Sequence, residues 1–320
     1  MGLLGWLTNL GMGGGTATVC TIQEEITQRI SGDPTGDYLN TLTNYNPVAY
    51  DPFPEPEGGF VWNTNCWAAD LNWTGVGAWA EGQYWFAATL ISRRHILTAH
   101  HCGIDPTDIV YFIASDSSVY AAEVAAKQQV GTTDFDVAYL TEDVPAGITY
   151  YSVVPENYND YLSYDPTDLG DDPPDDPDGL YGKPLIVCDK ERKATIGRVF
   201  LINQAISTNA DDYKYTDREA YWEGVQPGDS SAPNFLLASG ELLLAGTNYS
   251  GNVYQVTATF IGFPGRIAAV NAVMAALDTG STGYQLTIGD LPDETASLYV
   301  VLFDQGHLTG GMMTMAGGLA

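Results

Sequence analysis

The stretch TLISRRHILTAHHCG, residues 89–103, runs an apolar segment into two adjacent histidines and a cysteine. Leu90, Ile91, Ile96 and Leu97 have the apolar, branched character of a buried strand. His100 and His101 follow where that strand should end. Imidazole exchanges a proton near neutral pH, so its placement at a strand end invites chemistry. A histidine in such a place is usually just packed and hydrogen-bonded, so the rest of the chain must supply its reactive partners.

The chain has 320 residues, enough for one two-lobed domain or two domains with a sizeable core. Gly 35 and Tyr 20 beside only 12 Lys+Arg favour a β-rich, turn-rich fold. The 40 Asp+Glu give a formal charge of −28, which repels phosphate backbones and anionic lipid and argues against nucleic acid as a partner. No run of about 18 apolar residues is present, so no membrane span is expected. The uncharged start, MGLLGWLTNLGMGGGTATVC, lacks a basic segment and is interrupted by glycine, so no export signal is recognisable. Cys20, Cys66, Cys102 and Cys188 are too dispersed for a disulfide scaffold, and no C-x-x-C pair suggests zinc; no metal is expected from them. Five basic residues, Lys183, Lys190, Arg192, Lys193 and Arg198, read as the charged edges of a solvated hairpin.

Residues 1–58 read as an apolar arm, one helix and a proline-rich connection, with the arm a segment for assembly. Thr21 and Glu24 have capping-box spacing, and Ile22, Ile26 and Ile30 recur every four residues, which predicts a helix from Thr21 to Ile30. Residues 59–160 carry strands at 83–92, 108–114 and 136–140. Residues 161–182 hold DPTDLGDDPPDDPDG, an acidic linker loop. Its carboxylates make Ca²⁺ the one cofactor that the sequence raises, but Pro174 stands where a calcium loop needs a ligand, so a solvated loop is the better reading. Residues 183–278 resume with strands at 184–189, 195–203, 234–238, 241–246 and 253–263, then a helix from Pro264 with Ile267, Val270, Met274 and Leu277 on one face. Residues 279–320 form a C-terminal extension with expected strands YQLTI (284–288) and SLYVVLF (297–303). No internal repeat is evident.

Three segments carry the chemistry: TLISRRHILTAHHCG (89–103), DFDVAYL (134–140) and VQPGDSSAPNFLL (225–237). In this order they resemble the chymotrypsin/trypsin-like serine protease family, in its bacterial or phage-type form. That family shows T-A-A-H-C at a strand end, then D-I-A-L-L, then G-D-S-G-G-P. The resemblance covers roughly residues 60–277. It implies an all-β fold of two six-stranded antiparallel β-barrels, a C-terminal helix, and N- and C-terminal extensions. It also implies His101 as base, since it directly precedes Cys102, and Ser230 as nucleophile. Asp136 becomes the orienting carboxylate because it starts the D-V-A-Y-L run, and Asp134, two positions away on the same strand face, is the alternative. The backbone N–H groups of Gly228 and Ser230 would meet an oxyanion. These residue types fit the task. A serine hydroxyl is a weak nucleophile until an imidazole takes its proton, and the imidazole needs an acceptor on its other nitrogen. The implied function is a trypsin-like serine endopeptidase that forms an acyl-enzyme with a polypeptide substrate.

Several residues depart from the family pattern. Ser231 and Ala232 replace two glycines beside the nucleophile, which is expected to narrow the site. The cysteine that pairs with the A-H-C cysteine falls at Phe86, so Cys102 is free or paired elsewhere, with Cys66 the candidate. The residue at the base of the specificity pocket falls at Gly224, with Glu223 beside it, and Ser250 is the candidate serine of the later strand. No activation site precedes the first barrel, so Asp229 needs a partner other than a new N-terminal amine. A second reading is structural: a coat, decoration, tail or fibre subunit of a virion, or a surface filament, built on this fold with vestigial or maturation-only activity. The apolar N-terminal arm and the C-terminal strands favour self-assembly or neighbouring structural proteins as partners, and a virion or extracellular assembly over the cytoplasm.

Overall fold

The computed structural model describes residues 22–31, 36–46, 56, 58–82, 84–156, 184–202, 204–209, 216–279 and 282–291. The acidic loop, the N-terminal arm and the expected strand at 297–303 lie outside these residues.

Twelve strands form two closed antiparallel barrels. The first contains β1 (Val76–Glu81), β2 (Tyr84–Leu90), β3 (His95–Ala99), β4 (Ile109–Ile113), β5 (Val119–Gln129) and β6 (Phe135–Leu140), joined in the order β1-β2-β3-β6-β5-β4. The second contains β7 (Pro184–Cys188), β8 (Ala194–Ile202), β9 (Ala205–Asn209), β10 (Pro233–Ala238), β11 (Glu241–Gly251) and β12 (Gln255–Phe260), joined in the order β10-β11-β12-β9-β8-β7. The two barrels share one connectivity although the sequence shows no repeat. Closure leaves neither barrel with an open edge. Two closed six-stranded antiparallel barrels followed by a helix are what the resemblance implied.

The strands that the sequence marked most clearly are those buried on both faces. β3, β6, β7 and β10 are buried along their whole length and are mostly apolar. β5 mixes buried and exposed residues, with four Ala beside Glu123, Lys127, Gln128 and Gln129, so it lacks that signal. One cluster, which includes Val76, Leu97, Phe135, Leu185, Phe235 and Leu244, runs through both barrels and holds them together. Within it the Phe235 ring centre lies 4.6 Å from that of Tyr151 and 6.0 Å from that of Trp73.

Two helices flank the barrels. In α1 (Ile22–Arg29) the buried Ile22 and Ile26 face β10 and β7. In α2 (Arg266–Leu277) the face formed by Ile267, Val270, Met274 and Leu277 is buried, and the helix packs back on β5 and β6 of the first barrel. Among the described residues no helix is long and apolar enough to cross a membrane.

Two expectations need correction. YQLTI (284–288) forms no strand: Ile288 makes a single bridge to Val153, and flanking backbone bonds join Val153 to Thr287 and Gly289. The basic segment is not simply solvated. Arg192 is 4 % exposed, with its guanidinium 5.2 Å from the Tyr45 ring centre, and Lys193 pairs with Glu191 and Glu223.

Candidate active site

The site lies where the first barrel delivers His100 and His101 and the second delivers Ser230. Beyond β3 the chain makes a short turn, His100–Cys102, that ends at Gly103 in the left-handed region (φ 79°). β3 and β6 are paired with Thr98 opposite Asp136 and Ala99 opposite Phe135. One step further, His100 N–H donates to the Asp134 carbonyl at 3.0 Å. The turn therefore sits over the start of β6.

That register decides which carboxylate meets which imidazole. His101 Nδ1 lies 2.8 Å from Asp134 Oδ2, and His101 N–H donates to Asp134 Oδ1 at 3.0 Å. Asp136, expected beside His101, lies instead 2.9 Å from His100 Nδ1. Strand alternation does not separate Asp134 from Asp136, since a shift of two residues preserves the face, but Asp134 lies in the bend just before β6 and Asp136 within it. The cross-strand register separates them.

On its other nitrogen, His101 Nε2 lies 2.9 Å from Ser230 Oγ. The three side chains of His101, Asp134 and Ser230 thus form one continuous contact chain. The hydrogen bond to the Asp134 carboxylate raises the His101 imidazole from 6.5 to about 10, with the neighbouring Cys102 adding to the rise and partial burial opposing it. Cys102 Sγ stands 3.7 Å from the same Nε2.

Ser230 is carried by a turn that the surrounding backbone holds tightly. Gly228 has φ 101°, a conformation that costs an L side chain dearly, and a Cβ there would come 3.1 Å from Lys190 Nζ. Lys190 Nζ donates to the Pro227 carbonyl at 2.8 Å. The buried Asp229 carboxylate, whose pKa burial raises, accepts the backbone N–H groups of Lys190 and Gln226. These are the partners that the sequence left open for Asp229, and they lie within the fold. Among the described residues neither Gly228 N–H nor Ser230 N–H, in the turn that carries Ser230, has an acceptor. Free backbone donors at such a turn can stabilise an oxyanion.

Ser231 and Ala232 do not narrow the cleft. Both are fully buried. Ser231, at φ 70°, accepts Ala99 N–H on its Oγ at 2.7 Å, which ties β3 to the serine turn. On the far wall, β11 shifts register against β12 between Asn248 and Ser250. Bulges of this kind re-aim side chains. Asn248 is bound to Asn234 at 2.6 Å and to the Cys188 carbonyl at 3.0 Å, and both Asn248 and Ser250 line the cleft.

The cleft beside Ser230 has a volume of about 240 Å³ and is bounded by Val225, Gln226, Pro227, Asp229, Ser250 and Gly251, among others. Gly224, expected at its base, is not in the lining; a Cβ there would lie 2.1 Å from Val253 Cα, so this position is filled by the opposing backbone. Glu223 accepts Lys193 Nζ at 2.7 Å and is thereby engaged away from the cleft. The Cys66–Cys102 pairing is also corrected: both are free, as is Cys188. They pack in different clusters, Cys66 in the shared core and Cys102 inside the first barrel.

Among the described residues no group of three or more His, Cys, Asp or Glu could hold a metal ion. No family model matches the chain, and no curated protein matches it. One similar solved structure is human heparin binding protein, at 12 % sequence identity and a TM-score of 0.45, with 63 % of this chain and 91 % of that chain covered.

Sequence reading had identified His101 and Ser230, which the fold brings together. It prefers Asp136 with Asp134 as the alternative, whereas His101 meets Asp134, and it does not anticipate the partnership of His100 with Asp136. The second histidine next to the second aspartate was the available signal, since two His–Asp pairs need two of each.

Proposed function

We propose that the protein is a serine endopeptidase that uses His101, Asp134 and Ser230. The observation that carries this reading is the chain of contacts from Asp134 Oδ2 through the His101 ring to Ser230 Oγ. With Nδ1–H donating to Asp134, Nε2 of His101 is the atom that accepts the Ser230 proton as Oγ attacks a peptide carbonyl. The Gly228 and Ser230 N–H groups receive the developing oxyanion. The imidazolium then gives its proton to the leaving amine, and a water activated by the same ring releases the acyl group from Ser230.

The cleft supports a substrate side chain that is small and uncharged. Among the described residues its walls offer Val225, Pro227 and Gly251 beside the neutral polar Gln226, Asn248 and Ser250, and the one carboxylate there, Asp229, is satisfied by backbone donors. A side-chain methyl at Gly251 would lie 2.4 Å from Val225 Cγ2, so the wall is already in contact there.

A fluorophosphonate probe tests the reading. Covalent labelling of the native protein that disappears in Ser230→Ala and His101→Ala is expected. A folded wild-type sample that takes up no label, or a Ser230→Ala variant that labels equally, rejects it.

A further inference from the structure

The hydrolase reading employs one His–Asp pair, yet the fold builds two side by side. His100 Nδ1 lies 2.9 Å from Asp136 Oδ1, and His101 Nδ1 lies 2.8 Å from Asp134 Oδ2. The second pair is costly. Asp136 is 1 % exposed, and its Oδ2 has no hydrogen-bond partner among the described residues; Lys127 Nζ stands 3.9 Å away and is itself bound to Asp105 at 2.9 Å. A buried carboxylate with an unsatisfied oxygen lowers stability unless its placement serves something else. An apolar residue at this point of β6 would cost nothing of the kind.

The location suggests what it serves. The segment that presents His101 is only three residues long, and the His100 and His101 side chains are 43 % and 45 % exposed. Where β3 runs into it, two adjacent residues are held differently. Ala99 N–H is bound to Ser231 Oγ, next to the nucleophile. On the β6 side, His100 is bound to Asp136, a residue anchored in the wall of the first barrel opposite Thr98. Without that second clasp the turn would keep its bonds to Ser231 and Asp134 but lose the restraint on the His100 ring, and the 2.9 Å approach of Nε2 to Ser230 would loosen.

We propose that His100 and Asp136 are positioning residues whose contact fixes the turn that aims His101 at Ser230. The inference rests on the hydrolase reading for its consequence in rate, but the geometric claim about His101 stands apart from it. Misplacement of a reacting group by an ångström costs on the order of a hundredfold, so loss of one of several restraints should cost roughly tenfold.

Three variants and two readouts test the idea. His100→Ala removes the clasp. His100→Asn keeps an N–H donor near the place of Nδ1. His100→Ala with Asp136→Asn removes the clasp without stranding a buried charge, in case the single variant folds poorly. In saturating fluorophosphonate labelling, performed well below the melting temperature, the maximal rate should fall roughly tenfold in His100→Ala and in the double variant, with the half-saturating probe concentration unchanged. His100→Asn should restore the rate to within about threefold of wild type. Proton NMR of the low-field imidazole region gives the second readout. The His101 Nδ1–H resonance, assigned by its loss in Asp134→Asn, should broaden or vanish in His100→Ala and return in His100→Asn. A sharp, unshifted His101 resonance in both Ala-containing variants overturns the proposal. If the wild type takes no label, the hydrolase reading falls, and the resonance alone decides the positioning claim.

Discussion

Asp134 holds His101 at two points, its Oδ2 against the ring Nδ1 at 2.8 Å and its Oδ1 against the backbone N–H at 3.0 Å. A single carboxylate thus fixes both the position of the backbone and the orientation of the ring. The tautomer that leaves Nε2 as an acceptor follows from this bond. Asp136 makes no contact of this kind with His101.

The two aspartates should therefore separate sharply in mutation. Asp134→Asn is expected to lower the labelling rate of Ser230 by roughly ten-thousandfold, since an amide can hold the ring in the wrong tautomer. Asp136→Asn should cost about tenfold or less, since it acts through His100. Rates compared at one pH and probe concentration check this; a larger loss in Asp136→Asn would reverse the assignment.

The pH dependence carries a sign. The base must be neutral to accept the serine proton, and Asp134 raises the His101 imidazole from 6.5 to about 10. Labelling should therefore be suppressed at low pH and climb with a midpoint above 6.5, toward alkaline pH. In Asp134→Asn the residual rate should show a midpoint moved down toward 6.5. Equal midpoints in the two proteins would mean that Asp134 does not set the proton affinity of His101.

A second titration concerns stability. Asp189 is largely enclosed, its side chain 12 % exposed, and burial together with the neighbouring Asp229 carboxylate raises its pKa from 3.8 to about 8. The folded state then binds this proton more tightly than the unfolded chain. The stability it contributes is complete below pH 3.8 and is lost as pH rises toward 8. Melting temperatures between pH 5 and pH 8 should fall in the wild type and fall less in Asp189→Asn. An identical slope in the variant would remove Asp189 from the account.

Thiol chemistry checks the corrected cysteines. Cys66, Cys102 and Cys188 are free and buried. Burial pushes the Cys66 thiol up to about 12, which disfavours the reactive thiolate. In the native state alkylation of Cys66 should be slow. After unfolding without reductant, all three should alkylate completely, and peptide mass spectrometry reads each site. A Cys66–Cys102 disulfide peptide would contradict the packing of these residues in separate clusters.

The amino-acid sequence determined much of this protein by local rules. The branched apolar runs of β3, β6, β7 and β10 specified strands because such side chains fit a pleated surface buried on both faces. The spacing of Ile267, Val270, Met274 and Leu277 specified the buried face of α2. The resemblance of the histidine–cysteine and Gly-Asp-Ser stretches to a family pattern pointed to His101 and Ser230, whose side chains meet in the fold. Only the tertiary structure decided the rest. Asp134 and Asp136 are indistinguishable by alternation, and cross-strand hydrogen bonding, with Thr98 opposite Asp136, was needed to match each with its histidine. Arg192 is charged and yet buried, because Tyr45 from a distant segment covers it. Gly224 sits against the Val253 backbone rather than in the cleft, since residues from two parts of the second barrel meet there. Sequence period fixes which face a side chain takes; it carries no information about what the facing strand or loop brings opposite it.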